Sequence, residues 1–80
     1  MNETEVTLRK LRWRCRRGLL ELDLVFSRFL QERYAFLDQG DKSAFHRLLE
    51  LQDQTLLGYL NGEQEPADPD LCAIVRKLRH

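Results

Sequence analysis

Side chains that could carry out nucleophilic, acid–base or metal chemistry are few in this sequence and lie far apart. The two cysteines, Cys15 and Cys72, have no histidine at the spacing of a zinc site, because the only histidines are His46 and His80. The sequence also lacks a glycine-rich phosphate loop. Without a nucleophile beside a base, a carboxylate pair or a ligand cluster, we expect neither catalysis nor a bound metal.

Cys15 is the thiol with the most unusual surroundings, because it lies among arginines. Neighbouring cations lower the pKa of an exposed thiol and make it reactive. The same residue also continues an apolar helix face that includes Leu8 and Leu11. We therefore predict a buried structural thiol and interpret Cys72 in the same way. His46 has an aromatic and a cationic neighbour, and we predict that it is exposed or half-buried.

Charged and special residues are densest between Trp13 and Asp23, at the junction of two predicted helices. A glycine costs a helix interior roughly 1 kcal/mol, so Gly18 indicates a helix end, where it would adopt a positive φ. Arg17 and Glu21 would then project from one corner of the molecule. Two interpretations remain open. In the first, the corner binds a partner; in the second, Arg17 only forms an i,i+4 ion pair with Glu21. Trp13 is either an exposed anchor of that partner surface or a core residue. Glu21 and Asp23, two residues apart, face different sides and do not form an acid–base pair.

Composition predicts one all-α domain spanning residues 1–80, because helix-favouring residues dominate and β-branched residues are scarce. The charge is uneven: residues 1–17 carry six cations and two acids, a net charge of +4, and the remainder carries −4. A basic arm could contact nucleic acid, but an overall charge of zero argues against a dedicated nucleic-acid binder. With no apolar run near the roughly 20 residues of a membrane span and no export signal, we expect a cytoplasmic protein without membrane insertion and with reduced cysteines.

Apolar periodicity and capping residues predict a compact bundle of five short helices. The second helix is the most apolar, with a buried face widened by Leu20, Leu24 and Val25, so we place it at the centre. Gly40 is predicted to follow it in a left-handed cap, and Asn61-Gly62 to end the fourth helix. The predicted helices cover about residues 3–17, 19–37, 41–52, 53–60 and 69–79. The predicted N-caps are Asn2 or Thr4, Asp41 or Ser43, Asp53, and Asp68 followed by Pro69.

The stretch Trp-x-Cys-Arg-Arg-Gly-x-x-Glu-Leu-Asp, residues 13–23, resembles the signature of the SdhE family of succinate dehydrogenase assembly factors. Its centre is the motif Arg17-Gly18-x-x-Glu21. The resemblance covers about residues 8–78 and includes Phe45-x-x-Leu48-Leu49-Glu50, Asp53-x-x-Leu56-x-x-Tyr59-Leu60 and Pro66-Ala67-Asp68. Tyr59 stands where many relatives have tryptophan, which leaves open whether this position joins an interface.

The resemblance implies a non-enzymatic assembly chaperone that binds the flavoprotein subunit of succinate dehydrogenase, and of the related fumarate reductase. The chaperone would promote covalent attachment of FAD to that subunit without stably binding a cofactor itself. In bacteria it would act in the cytoplasm, and a monomer is the simplest expectation. Six residues would contact the partner: Trp13, Arg16, Arg17, Gly18, Glu21 and Asp23. The alternatives are the antitoxin of a toxin–antitoxin pair and a small nucleic-acid-binding helical domain, and direct contact with FAD is left open.

Overall fold

Five α-helices and one short 3₁₀ turn form the described part of the chain, which is the backbone of residues 3–79 and the side chains of residues 8–79 in a computed structural model. No strand occurs within those residues, so the predicted all-α bundle is confirmed. None of these helices combines the length and the apolar character needed to cross a bilayer. The helices are α1 (Glu3–Arg14), α2 (Leu20–Glu32), α3 (Gln39–Leu48), α4 (Asp53–Leu60) and α5 (Pro69–Arg79), and the 3₁₀ turn is Tyr34–Phe36.

The first helix has the two faces that the sequence predicts, but it ends at Arg14 instead of residue 17. Leu11 and Cys15 are buried, whereas Arg9 and Arg12 on the opposite face are exposed. The predicted inward position of Val6 and the capping roles of Asn2 and Thr4 lie outside the described side chains.

The second helix is central, yet its buried face is narrower than predicted. Leu22, Phe26, Phe29 and Leu30 are buried, but Leu20 and Leu24 are 70 % and 60 % exposed, so their assignment to the core was wrong. The neighbouring helices cover one side of α2 and leave these two leucines in solvent. The helix also stops at Glu32 instead of residue 37, and the chain continues through the 3₁₀ turn.

Aromatic rings join the central helix to the rest of the core. The ring of Phe45 on α3 lies between those of Phe26, Phe29 and Tyr34, with centroid distances of 6.0, 5.3 and 5.6 Å. Offset and edge-on ring pairs at these separations add to the free energy gained by burial. On the other side, α3 packs against α5, where Ile74 and Val75 are buried.

The third helix begins earlier than predicted. Asp38 is its N-cap and accepts the backbone N–H of Asp41 at 2.8 Å, so neither Asp41 nor Ser43 has that role. Gly40 therefore lies in the first turn of α3 and is not a left-handed cap. The earlier start is favoured because the Asp38 carboxylate satisfies a backbone donor that would otherwise lack a partner. At its other end, α3 stops at Leu48 instead of residue 52.

The predicted boundaries are best met in the second half of the chain. Gly62 follows α4 with φ 78°, which confirms the Asn61-Gly62 stop. Asp68 accepts the N–H of Asp70 at 2.8 Å ahead of α5, which confirms the predicted start at Pro69. The predicted cap Asp53 is instead the first residue of α4.

Candidate functional site: the α1–α2 loop

Arg17, the cation of the motif, points into the molecule. Its side chain is 11 % exposed, and its Nε donates to Asp53 Oδ1 at 2.9 Å. Nη1 donates to the carbonyl oxygens of Arg14 and Leu49 at 3.2 and 3.0 Å, and Nη2 donates to that of Leu51 at 2.5 Å. Carbonyls at helix C-termini lack intrahelical partners and carry partial negative charge, so a guanidinium suits this position. Arg17 therefore ties the α1–α2 loop to the junction of α3 and α4.

Asp53 completes this connection from the other side. Its Oδ2 accepts the backbone N–H groups of Gly18 at 3.1 Å and of Leu19 at 3.4 Å. Leu19 is the N-cap of α2 and has no side-chain cap bond of its own. One carboxylate thus neutralises the Arg17 guanidinium and satisfies backbone donors at the start of α2. Sequence analysis missed this role, because no local periodicity relates residue 53 to residues 17–19.

The bend at Gly18 is made differently from the prediction. Among the described residues, Gly62 alone has a positive φ, so the expected left-handed conformation of Gly18 was wrong. The hydrogen bonds from Arg17 and to Asp53 hold the bend instead. A Cβ atom added at Gly18 would lie 3.5 Å from Asp53 Oδ2, an ordinary van der Waals contact, and the residue is exposed.

Glu21 lies on the surface in the first turn of α2, where a carboxylate interacts favourably with the helix dipole. The i,i+4 ion pair with Arg17 is not formed, because Arg17 precedes the helix and pairs with Asp53. Glu21 also borders a small groove of about 240 Å³ whose apolar lining includes Leu57 and Leu60.

Trp13 and Arg16 form a second exposed group beside the loop. The indole of Trp13 is 69 % exposed, which decides between the core and surface positions left open by the sequence. The Arg16 guanidinium carbon lies 5.3 Å from the centroid of the Trp13 ring, within range of a cation–π interaction. These side chains help to line a groove between α1 and α2, which we call the basic groove.

The six motif residues therefore fall into separate environments. Arg17 and Gly18 meet at Asp53, and Trp13 meets Arg16. Asp23 is half-buried and accepts the Ser27 hydroxyl at 3.2 Å, within α2. A partner could thus reach the side chains of Trp13, Arg16 and Glu21, whereas those of Arg17 and Asp53 are largely engaged within the protein.

The thiols and histidine that could have carried chemistry occupy structural positions. Cys15 is fully buried, as predicted, and burial raises the pKa of its thiol to about 11 despite the opposing charge of Arg17. Cys72 was also predicted to be buried, but it is only half-buried, and its Sγ lies 3.4 Å from a carboxylate oxygen of Glu65. His46 is half-buried, as predicted, and its Nε2 lies 2.8 Å from the Tyr34 hydroxyl oxygen. Among the described residues, no group of three potential ligands could hold a metal ion.

Fold and site together define a class of small all-α protein. In it, the Arg17 side chain bonds to Asp53 and to three backbone carbonyls and so fixes the α1–α2 surface loop from the inside. Comparison with known proteins then identifies the family. Residues 9–80 match the family model described as flavinator of succinate dehydrogenase, and the chain belongs to this family.

Curated relatives agree with this assignment and with the resemblance found in the sequence. The chain is 43 % identical over 74 residues to the FAD assembly factor SdhE of Pseudomonas aeruginosa, covering 92 % of this chain and 88 % of that protein. It is 38 % identical over 79 residues to the protein of the same name from Coxiella burnetii, covering 99 % and 95 %. The SdhE protein of Methylococcus capsulatus is 44 % identical over 70 residues, covering 88 % and 84 %.

Proposed function

We propose that this protein is an assembly factor that binds the flavoprotein subunit of succinate dehydrogenase and promotes covalent attachment of FAD to it. The observation that carries the proposal is the family match over residues 9–80. The relatives that share its sequence are named FAD assembly factors. We extend the proposal to the related fumarate reductase flavoprotein, to action as a monomer and to a location in the bacterial cytoplasm.

In this mechanism the covalent bond would join a histidine of the flavoprotein to FAD on the partner. The flavin would supply the electrophilic chemistry, and this chain takes no part in the bond-making step. This chain acts without a catalytic residue and without a stably bound cofactor of its own. It holds the immature flavoprotein so that histidine and flavin approach each other, and such orientation can supply a large part of a rate enhancement.

The described contacts support different roles for the individual motif residues, some in partner contact and some in positioning the loop. Glu21 and Gly18 are exposed, so we assign the partner contacts to the Glu21 carboxylate and to the backbone at Gly18. Trp13 and Arg16 extend this surface, because tryptophan and arginine contribute strongly to protein interfaces. Arg17 is a positioning residue, since its guanidinium is occupied by four groups of this chain. Asp23 steadies α2 through Ser27.

The test is a reconstitution of purified flavoprotein subunit, free FAD and this protein, with covalent flavin measured by in-gel fluorescence after denaturation. We expect the wild type to accelerate attachment and Glu21→Ala to slow it at least about tenfold, the effect of losing one charge-assisted contact. Because Glu21 is exposed, its replacement should leave the helical circular dichroism unchanged.

The matched control is Glu63→Ala, which removes another exposed carboxylate from the loop after α4. It should behave like the wild type. Equal activity of the Glu21 and Glu63 variants would contradict the assigned contact. Absence of both binding and acceleration by the wild type would contradict the proposed function and return attention to the antitoxin and nucleic-acid-binding alternatives.

A further inference from the structure

The basic groove is a larger concavity than the one beside Glu21, with a volume of about 710 Å³. It lies between α1 on one side and α2 with the 3₁₀ turn on the other. Among the side chains that the structure describes, arginines dominate its polar lining, apolar and aromatic groups form most of the rest, and none of the lining groups is acidic. Its principal lining side chains are Arg9, Arg12, Trp13, Arg16, Leu30 and Tyr34.

Arg9 and Arg12 are three residues apart on α1, so their like charges face each other, and Arg16 lies in the loop just beyond the end of the helix. Arg9, Arg12 and Arg16 are exposed, and none forms an ion pair with a described side chain. Arg17 and Arg79, by contrast, each pair with a carboxylate of this chain. Clustering of like charge at helical neighbours lowers helix stability, and a bound anionic group would relieve the repulsion.

The apolar wall narrows the kind of anion that fits. Trp13 offers an indole ring, and the buried residues Leu30 and Tyr34 add apolar surface to the lining. A ligand that fills this space needs an apolar side chain beside its negative charges. Protein segments supply that combination, because acidic and apolar side chains can stand next to each other along one backbone.

We infer that the basic groove binds an acidic segment of a partner protein, with carboxylates on Arg9, Arg12 and Arg16 and an apolar side chain against Trp13. Guanidinium groups bind carboxylates through paired, charge-assisted hydrogen bonds. Tryptophan and arginine together form the type of centre that dominates many protein interfaces. This surface adjoins the proposed Glu21 contact through Trp13 and Arg16 but differs in charge, because here this chain contributes the positive groups.

The chain carries its own reporter for the test, because Trp13 is its single tryptophan. The probe is a short synthetic peptide rich in glutamate, with one phenylalanine and one leucine. Its matched counterpart has glutamine at every glutamate position, and a uridine-rich RNA of similar charge represents nucleic acid. We expect a saturable change in Trp13 fluorescence with the acidic peptide alone, and an affinity that falls as salt is added.

Variants then locate the binding site. Arg9→Gln with Arg12→Gln should weaken peptide binding at least about tenfold, as expected for the loss of two charge-assisted contacts. Arg28→Gln is the matched control, because Arg28 is an exposed α2 arginine, 78 % exposed in its side chain, that does not line the groove. The affinity of the Arg28→Gln variant for the acidic peptide should change less than about twofold. Equal binding of the glutamine peptide, unchanged binding by the double variant, or tighter binding of RNA would overturn the inference.

Discussion

Individual residues of the motif differ in whether they stabilise the fold or are available for partner contact, and Gly18 is the clearest case. Its φ is not positive, and an added Cβ would make only an ordinary contact with Asp53. We expect Gly18→Ala to change the free energy of unfolding by less than about 1 kcal/mol. Urea denaturation monitored by circular dichroism measures this change.

The same variant tests whether the glycine serves the partner. If the flavoprotein approaches the backbone at Gly18 closely, the added methyl group should slow flavin attachment while stability is retained. A loss of more than about 2 kcal/mol would instead assign the glycine to the fold, since changes of that size indicate a disturbed interior.

Cys15 shows how burial overrides nearby charge. The sequence places it among arginines, but the folded chain removes it from solvent, and the raised thiol pKa of about 11 leaves roughly one part in a thousand as thiolate near pH 8. We expect the half-buried Cys72 to react with a thiol reagent well before Cys15 in the folded protein. Peptide mapping by mass spectrometry measures both rates, and unfolding in urea should make them similar. Faster labelling of Cys15 in the native protein would contradict its buried position.

At the scale of elements, the connection between Arg17 and Asp53 joins four helices. It contacts the ends of α1 and α3, the start of α2 and the first residue of α4. We expect Asp53→Ala to lower the free energy of unfolding by about 2–3 kcal/mol, because it leaves a largely buried guanidinium without its carboxylate and removes the acceptor of two backbone N–H groups at the start of α2. Asp53→Asn should cost less, since an amide oxygen can still accept the two backbone N–H groups.

A double-mutant cycle with Arg17→Ala separates the pair from its surroundings. If the two side chains stabilise the fold together, the cycle should give a coupling free energy of about 1–3 kcal/mol by urea denaturation. Additive effects would mean that the ion pair contributes nothing beyond the separate backbone contacts of each residue.

In the reconstitution, Arg17→Lys should slow flavin attachment less than Glu21→Ala does, because the positive charge of the side chain remains although its planar fork is lost.

Local signals explain which elements the sequence could predict. Asp68-Pro69 and Asn61-Gly62 are start and stop signals that act within a few residues, and both predictions are confirmed. Asp38 was missed as a cap because the nearby Asp41 and Ser43 offered equivalent signals. The exposure of Leu20 and Leu24 could not be predicted, since it depends on how much of α2 the other helices cover.

The candidate site was predictable in position but not in its internal arrangement. Family resemblance located residues 13–23, and the family is confirmed. The partner of Arg17 lies 36 residues away in the chain, beyond the range of periodicity or capping rules. The roles of the six motif residues in partner binding stay predictions.

For the whole molecule, His46 provides a link between stability and pH. Burial lowers its pKa below the ordinary value of 6.5, and the charge of Arg14 acts in the same direction while Glu50 partly opposes it. The unfolded chain therefore binds the proton more readily than the folded protein does. Stability from the neutral ring is present above the ordinary pKa and is lost as pH falls below it.

We expect the wild type to lose more stability than His46→Gln when the pH is lowered from about 7.5 to about 5.5, a range that spans the ordinary histidine pKa. The comparison with the variant is needed because carboxylates contribute at lower pH. Thermal melts of both proteins across this range provide the measurement. Parallel pH profiles would show that His46 does not contribute to the dependence.

The bonds from Arg17 to Asp53 also make the conformation of the α1–α2 loop depend on the rest of the protein. They close a separation of 36 residues, so they can form only after the α1–α2 and α3–α4 segments have come together. The amides of Gly18 and Leu19 should consequently exchange with deuterium at rates set by disruption of this long-range contact, although both residues lie in a surface loop. A nascent or partly unfolded chain would not hold this loop in its folded geometry. If the loop binds the flavoprotein as proposed, the flavoprotein would bind only copies that have completed their own folding.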